Sequence, residues 1–289
     1  MAQFYDTHAH LDYPDFANDF PDLLARAQAA GISRLISIGT DLESSRRAIR
    51  LAEQHEPVFA VVGWHPNDAL TAPDDLRPAL RELVKHPKVV AIGETGLDYF
   101  RLPSQRAADI QSAEENPGTA DNMSATRCAE DARVKAKQAV IFQQQLEVAV
   151  ETGLNVVIHQ RGDCFEDTLK IFEPFADKVR GVFHCFASDA ATMQRVLTLG
   201  SLVSFTGILT FKNGQNIRDT LAATPMDKFM LETDCPFLAP MPYRGKRCEP
   251  AYVREIAAVA AQVKGCSIDV LSHRTCETAH EFFPKLAWS

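Results

Sequence analysis

Two histidines stand two residues apart near the start of the chain, His8 and His10 in the stretch FYDTHAH (4–10). If that stretch is extended, a period of two turns both imidazoles to one face. Glu94, His159, His184 and Asp234 each fall toward the C-terminal end of a later apolar run. Four imidazoles and two carboxylates are a mixed nitrogen and oxygen set suited to divalent cations such as Zn or Mn, or Mg with more oxygen from water. Singly, each has an ordinary explanation. A histidine at a strand end is commonly a hydrogen-bonded rim residue, and a carboxylate there caps the next helix. The chemistry therefore depends on whether the chain brings the six together.

The elements that could do so are readable in outline. Strand-like runs occupy 4–10, 34–40, 58–66, 89–98, 155–162, 180–186, 202–211 and 229–238. They are rich in Val, Ile, Leu and Phe with little alternation, as in parallel strands covered on both faces. Between them lie segments such as FPDLLARAQAAG (20–31) and MQRVLTLG (193–200), apolar at helical spacing and stopped by glycine. Eight strands, each followed by a helix, predict an α/β fold that closes as a (β/α)8 TIM barrel, and 289 residues suit a single domain (1–289) of that kind. A doubly wound open sheet is the competing architecture, weakened in its dinucleotide form by the absence of G-x-G-x-x-G after the first strand. In a closed barrel the C-terminal strand ends form one ring, so the six residues would meet at a single site.

The residues sit in DTHAHLD (6–12), GETGLDY (93–99), VVIHQR (156–161), FHCF (183–186) and ETDCPFL (232–238), with GWHP (63–66) and PYRGKRCEP (242–250) beside them. In this order, across nearly the whole chain, they resemble the TatD family of metal-dependent deoxyribonucleases among the amidohydrolase-type barrels. The resemblance implies two divalent metal ions (Mg, Mn or Zn). His8, His10 and Asp234 would bind one, His159 and His184 the other, and Glu94 would bridge them. A carboxylate bridge suits ions about 3.5–4 Å apart, the separation used for in-line displacement at phosphorus. Binuclear barrels bridged by a carboxylated lysine need Lys at the end of strand four, where this chain has Glu94. That favours the TatD-like reading over a urea- or lactone-hydrolysing relative.

The implied activity is phosphodiester hydrolysis by a metal-activated water, as a deoxyribonuclease (exonuclease) acting on DNA that is single-stranded or at its ends. Asp234 and Glu94 are then the catalytic carboxylates, Asp234 serving as both ligand and proton acceptor. The alternative is amide or ester hydrolysis of a small substrate by the same water. A non-enzymatic barrel is disfavoured by the six intact positions. The resemblance departs at Cys248 and Thr278, where the family pattern has Asn.

Composition bounds the rest. Lys and Arg number 30 against 38 Asp and Glu, a net charge of −8, so the surface as a whole repels nucleic acid and anionic membranes. A polyanion must be attracted locally, and two divalent ions beside two carboxylates would leave about +2 at the site. His65, Arg161 and Arg244, with Lys246 and Arg247, are candidate phosphate contacts; Glu232 and Asp98 are candidate orienters of ligand histidines. Tyr99, Phe100, Phe211 and Tyr243 could stack on bases, and Cys185 and Cys235 read as packing.

The segment 102–133, with three Arg and six acidic residues, breaks the rhythm after strand four as an inserted loop or lid. Hydrophobic residues at 46% and charged residues at 24% exclude a disordered chain. Seven cysteines without a C-x-x-C pair, a start (MAQFYDTHAHLDY) unlike a secretory signal, and no apolar run near the roughly 20 residues of a membrane span together predict a cytoplasmic protein.

Overall fold

Eight short apolar runs pair side by side in a computed structural model that describes residues 2–105 and 120–286. They are β1 (Phe4–Ala9), β2 (Ile32–Ile38), β3 (Val58–Val62), β4 (Val89–Asp98), β5 (Asn155–Arg161), β6 (Gly181–Phe183), β7 (Leu202–Phe205) and β8 (Phe229–Leu231). All pair in parallel in sequence order. The seam between last and first is closed just beyond the ladder: Asp234 N–H donates to the His8 carbonyl at 2.9 Å and His10 N–H to the Cys235 carbonyl at 2.8 Å. A parallel bridge joins Ala9 to Cys235. With the helices between strands, this is a (β/α)8 barrel.

The helices that lie wholly among the described residues are α1 (Phe20–Ala29), α2 (Leu42–Gln54), α3 (Arg77–Leu83), α4 (Ala120–Thr152), α5 (Phe165–Phe172), α6 (Ala190–Thr198), α7 (Gln215–Ala223), α8 (Val253–Lys264) and α9 (Ile268–Phe282). Local chemistry starts several of them. Asp41 accepts from Ser44 N–H at 2.7 Å before α2, and Asp189 from Thr192 N–H at 2.8 Å before α6, each satisfying a first-turn amide. Among the described residues no helix is long and apolar enough to cross a membrane.

Apolar side chains divide into two layers. One lies between strands and helices. The other fills the lumen, with contributions from every strand between Tyr5 on β1 and Met230 on β8. The N-terminal mouth of that lumen is sealed by Phe282, Phe283 and Leu286 at and after the end of α9. Tyr5 OH meets His280 Nε2 there at 2.7 Å. With one mouth plugged, the opposite mouth is left for chemistry.

Strand lengths depart from the sequence expectation. The runs 58–66, 180–186, 202–211 and 229–238 pair only over 58–62, 181–183, 202–205 and 229–231. Beyond those points the chain stays apolar but leaves the ladder, making short 3-10 turns at Pro66–Thr71 and Gly207–Thr210. Trp64, Phe186 and Leu209 are buried there, so burial without pairing looks like strand in a sequence. Of the 102–133 insertion, 106–119 lie outside the described residues. From Ala120 onward it is not loop but the first turns of α4. The largely exposed stretch 126–133 is rich in Ala, Arg and Glu, good helix formers, and has little apolar surface to cover, so it carries no stripe. Asp131 accepts from Ser104 N–H at 3.0 Å, holding the two ends of the insertion together.

Candidate metal centre

The two N-terminal histidines reach the lumen through an irregularity. Tyr5 belongs to the interior layer and Ala9 to the outer one, four positions apart, which strict alternation forbids. The β1–β2 register shifts between Asp6 and Ala9, and this resets the phase so that His8 and His10 face inward. On β4 a second shift lies between Ile92 and Thr95, around Glu94. Gly96 follows at φ +126, where a Cβ would stand 2.1 Å from the His159 carbonyl oxygen. Glycine is needed there for β4 to press against β5 at the site.

His159 is on β5. His184 and Asp234 lie just past β6 and β8, and Asp234 has φ +58, a left-handed conformation that costs a non-glycine residue roughly 1–2 kcal/mol. Strain of this kind gathers at functional sites.

The six residues converge. Glu94 sits at the middle, and its two oxygens face different imidazoles. Oε2 is 3.4 Å from His8 Nε2 and 3.7 Å from His10 Nε2. Those same nitrogens lie 3.6 and 3.4 Å from Asp234 Oδ1. Oε1 is 2.8 Å from His159 Nδ1 and 2.7 Å from His184 Nε2. The carboxylate thus separates His8, His10 and Asp234 from His159 and His184.

The donor set fits a divalent cation. Two donors each about 2.1 Å from one ion, at a tetrahedral angle, stand about 3.4 Å apart, the spacing found among His8, His10, Glu94 and Asp234. At that spacing they are poor hydrogen bonds, and the buried His8 Nε2 and Glu94 Oε2 have no partner. Orphaned buried groups cost about 1–3 kcal/mol each unless something satisfies them. Among the described residues three clusters have the shape of a cation site: His8, His10 and Glu94; His8, His184 and Asp234; and His65, Glu94 and His159. The centre therefore has the capacity to hold one or two divalent ions.

Electrostatics agree. Burial alone would raise the Glu94 carboxyl, but His184, His65 and His8 outweigh it and hold it well below the usual range. Burial likewise opposes ionisation of Asp234, yet His10 and His8 keep its carboxyl low. Desolvation would lower His184, but Glu94 and Glu232 lift it well above an ordinary imidazole. The two carboxylates are held toward the charged form and His184 toward the protonated one, the condition under which a cation displaces protons on binding.

Behind the imidazoles stand further carboxylates. Asp98 Oδ2 is 3.2 Å from His159 Nε2, while its Oδ1 accepts from Phe100 and Arg101 N–H at 2.9 and 3.2 Å. It both orients a histidine and caps the segment that follows. Glu232 Oε1 lies 3.5 Å from His184 Nδ1 and accepts from Cys185 N–H at 2.7 Å. Strand alternation would align Glu232 with Asp234, but β8 ends at Leu231, and Glu232 reaches His184 from the loop beyond.

Asp6 was not anticipated. Its Oδ1 accepts from Thr233 N–H at 2.9 Å and its Oδ2 from Thr233 Oγ1 at 2.5 Å, pinning the residue between Glu232 and Asp234. Burial pushes its carboxyl up to about 8. A charged residue inside an apolar strand was the available signal.

The outer residues divide. His65 belongs to the centre itself, 3.4 Å from Glu94 Oε1, in a loop beyond β3 rather than on the strand. Arg161 lies exposed at the rim, its guanidinium 4.3 Å above the Phe100 ring. It lines a cavity of about 200 Å3 that His184 also lines. Arg244 is also exposed, 3.8 Å above Phe211, and contacts none of the six. Arg247 is committed elsewhere: it donates to Asp19 and to the Asp15 carbonyl, so it is not a phosphate contact.

Tyr99 is buried, with its OH donating to Asp167, and Tyr243 stacks on Tyr252. Neither is an open platform. Tyr13 and Phe237, which no spacing in the sequence marks, flank His10, with ring centroids 4.9 and 6.2 Å from the imidazole. Cys185 has φ +47, so alternation does not describe it; its thiol lies 3.7 Å from Thr206 Oγ1. Cys235 and Cys248 are buried, and Thr278 bonds back to the Arg274 carbonyl within α9.

Comparison with known proteins adds a lineage to this geometry. A family model described as TatD related DNase matches residues 5–284. The uncharacterized metal-dependent hydrolase YabD of Bacillus subtilis is 34% identical over 280 residues, covering 96% of this chain and 98% of its own. The 3'-5' ssDNA/RNA exonuclease TatD of Enterobacter lignolyticus is 32% identical over 285 residues, covering 96% and 98%. Among solved structures, the TatD homolog YJJV of Escherichia coli matches with a TM-score of 0.82 at 24% identity over 98% of both chains, a likeness of fold.

Proposed function

Because the chain belongs to the TatD-related DNase family of metal-dependent hydrolases, we propose that it hydrolyses phosphodiesters, as a deoxyribonuclease that removes nucleotides from single-stranded DNA or from DNA ends. The observation that carries this reading is the division of the imidazoles by Glu94. His8, His10 and Asp234 would hold one ion, His159 and His184 a second, with Glu94 bridging.

Divalent ions bound there (Mg, Mn or Zn) would supply Lewis-acid charge and an acidified water. The protein supplies the rest. Asp234 has 15% of its side chain exposed against 2% for Glu94, so it is the carboxylate that can accept a proton from an attacking water. Glu94, enclosed by imidazoles, keeps its charge and fixes the distance between the two ligand groups. Arg161 at the rim meets a neighbouring phosphate, and Arg244 one farther along. His65 stands close enough to touch the phosphate under attack. Tyr13 and Phe237 offer ring faces beside His10 for an unpaired base.

A relative 32% identical over 96% of the chain, described as a 3'-5' exonuclease on single-stranded DNA and RNA, supports the polymer as substrate class. All seven cysteines are unpaired, which accords with work in a reducing cytoplasm.

The test is release of nucleotides from single-stranded DNA by metal-stripped protein with Mg, Mn or Zn added back, beside a His159→Ala control. Activity should require the metal and be lost in the control. Turnover indifferent to both would overturn the reading, and cleavage of acyl or amide substrates without nucleotide release would move it to ester or amide hydrolysis.

A further inference from the structure

The nitrogen on the far side of each ring determines which atom an imidazole offers to the centre. A neutral imidazole has one N–H and one lone pair, and the partner of one nitrogen fixes the state of the other. His184 Nδ1 faces the Glu232 carboxylate at 3.5 Å, and His159 Nε2 faces the Asp98 carboxylate at 3.2 Å. A carboxylate accepts, so each outer nitrogen is held as N–H; Glu94 Oε1 faces the two inner nitrogens as well, and a bound cation would take the place of the proton there. With a cation bound, His184 would turn the lone pair of Nε2 inward, and His159 that of Nδ1, as ligands must.

His65 is wired the other way. It precedes the 3-10 turn Pro66–Thr71, and its Nδ1 accepts the backbone N–H of Asn67 at 3.1 Å. A backbone amide can only donate, so Nδ1 carries the lone pair and Nε2 carries the hydrogen. That N–H is what His65 presents to the centre, 3.4 Å from Glu94 Oε1 and 3.3 Å from His159 Nδ1.

Position alone groups His65 with Glu94 and His159 as three possible ligands of one cation. From its tautomer we infer that His65 is not a ligand but a fixed hydrogen-bond donor, aimed at a non-bridging oxygen of a phosphate bound where Glu94 and His159 meet. The role as donor to phosphate rests on the phosphodiesterase reading; the exclusion from the ligand set does not. A neutral donor held by the backbone meets the negative charge that grows on that oxygen without having to reorient. It also leaves the charge of the centre to the carboxylates and whatever cations they hold.

The experiment uses the full chain with 15N-labelled histidine, loaded with 113Cd as a spectroscopic probe. Long-range 1H–15N correlation should show His65 as the Nε2–H tautomer without splitting by cadmium, while His159 and His184 are split. His65→Ala should keep the metal content of the unsubstituted protein, whereas His159→Ala loses metal. Affinity of the metal-loaded protein for inorganic phosphate should fall at least tenfold in His65→Ala and partly recover in His65→Gln, which restores an N–H.

Cadmium splitting at His65, or metal lost on its removal, would overturn the exclusion. Phosphate affinity unchanged in His65→Ala would overturn the donor role. The spectra and metal contents need no substrate, so failure of the nuclease assay alone would count against the phosphodiesterase reading and leave the tautomer standing.

Discussion

Asp234 occupies a strained backbone conformation, touches two imidazoles and is the more open of the two central carboxylates. Asp234→Asn keeps the shape and one coordinating oxygen but removes the proposed proton acceptor. Turnover should fall by about 10²–10⁴-fold while at least one metal ion stays bound, measured by elemental analysis beside the nuclease assay. Retained turnover would assign proton transfer elsewhere. One layer out, Asp98→Asn and Glu232→Gln should each weaken metal binding by about 10–100-fold in a chelator competition, because the rings they orient lose their fixed tautomer. At this scale the sequence was informative where chemistry is rare. Histidines and acids at the ends of apolar runs stand out, and the structure brings all six of them together. It was silent on Asp6, whose role comes from a hydrogen bond to Thr233, 227 positions away. Arg247 misled because a basic residue near a site carries no mark of the ion pair it already makes with Asp19.

The strands position these groups through departures from regularity. Both β1 and β4 change register beside a site residue, and no composition signal announces a shift of that kind. The order and number of strands were legible from their apolar runs; their ends were not, because the segments that fold over the open mouth are as apolar as the ladder. Gly96→Ala tests the close approach of β4 to β5. Its Cβ would collide with the His159 carbonyl oxygen, so a loss of about 3 kcal/mol in urea unfolding should come with reduced metal content. A stable, fully loaded variant would show that the strands can part freely.

Outside the barrel, Asp19 ties α1 to the loop after β8 through Arg26 and Arg247. Hydrogen bonds from Arg247 and then Arg26 hold its carboxyl below the ordinary value of 3.8. The unfolded chain takes up that proton first as pH falls. The stabilisation is therefore complete above the ordinary carboxylate range and disappears as pH drops through the depressed value. Asp19→Asn should lower the urea midpoint at neutral pH, and its gap from the parent should close in acid. A gap independent of pH would mean that the charge is not the source.

At the scale of the whole molecule the barrel is a packed column stoppered at one end by Phe282 and Phe283. Phe282→Ala would leave a hole in that stopper and should cost about 3–5 kcal/mol in denaturant unfolding, with little change in metal content, since the centre is at the other end. A net charge of −8 disfavours polyanions over the surface as a whole, so the proposed substrate would be drawn in locally, at the mouth where the imidazoles gather. That mouth lies across the join between β8 and β1, with His8 and His10 on one bank and Asp234 on the other. A cation held by all three would be a clasp as well as a reagent: it would fasten together stretches from opposite extremes of the fold. Chelation should loosen the cylinder first along that line, seen as quicker amide exchange in β1 and β8 than in β3 or β5, and starvation for metal would then cost the cell folded protein as well as activity.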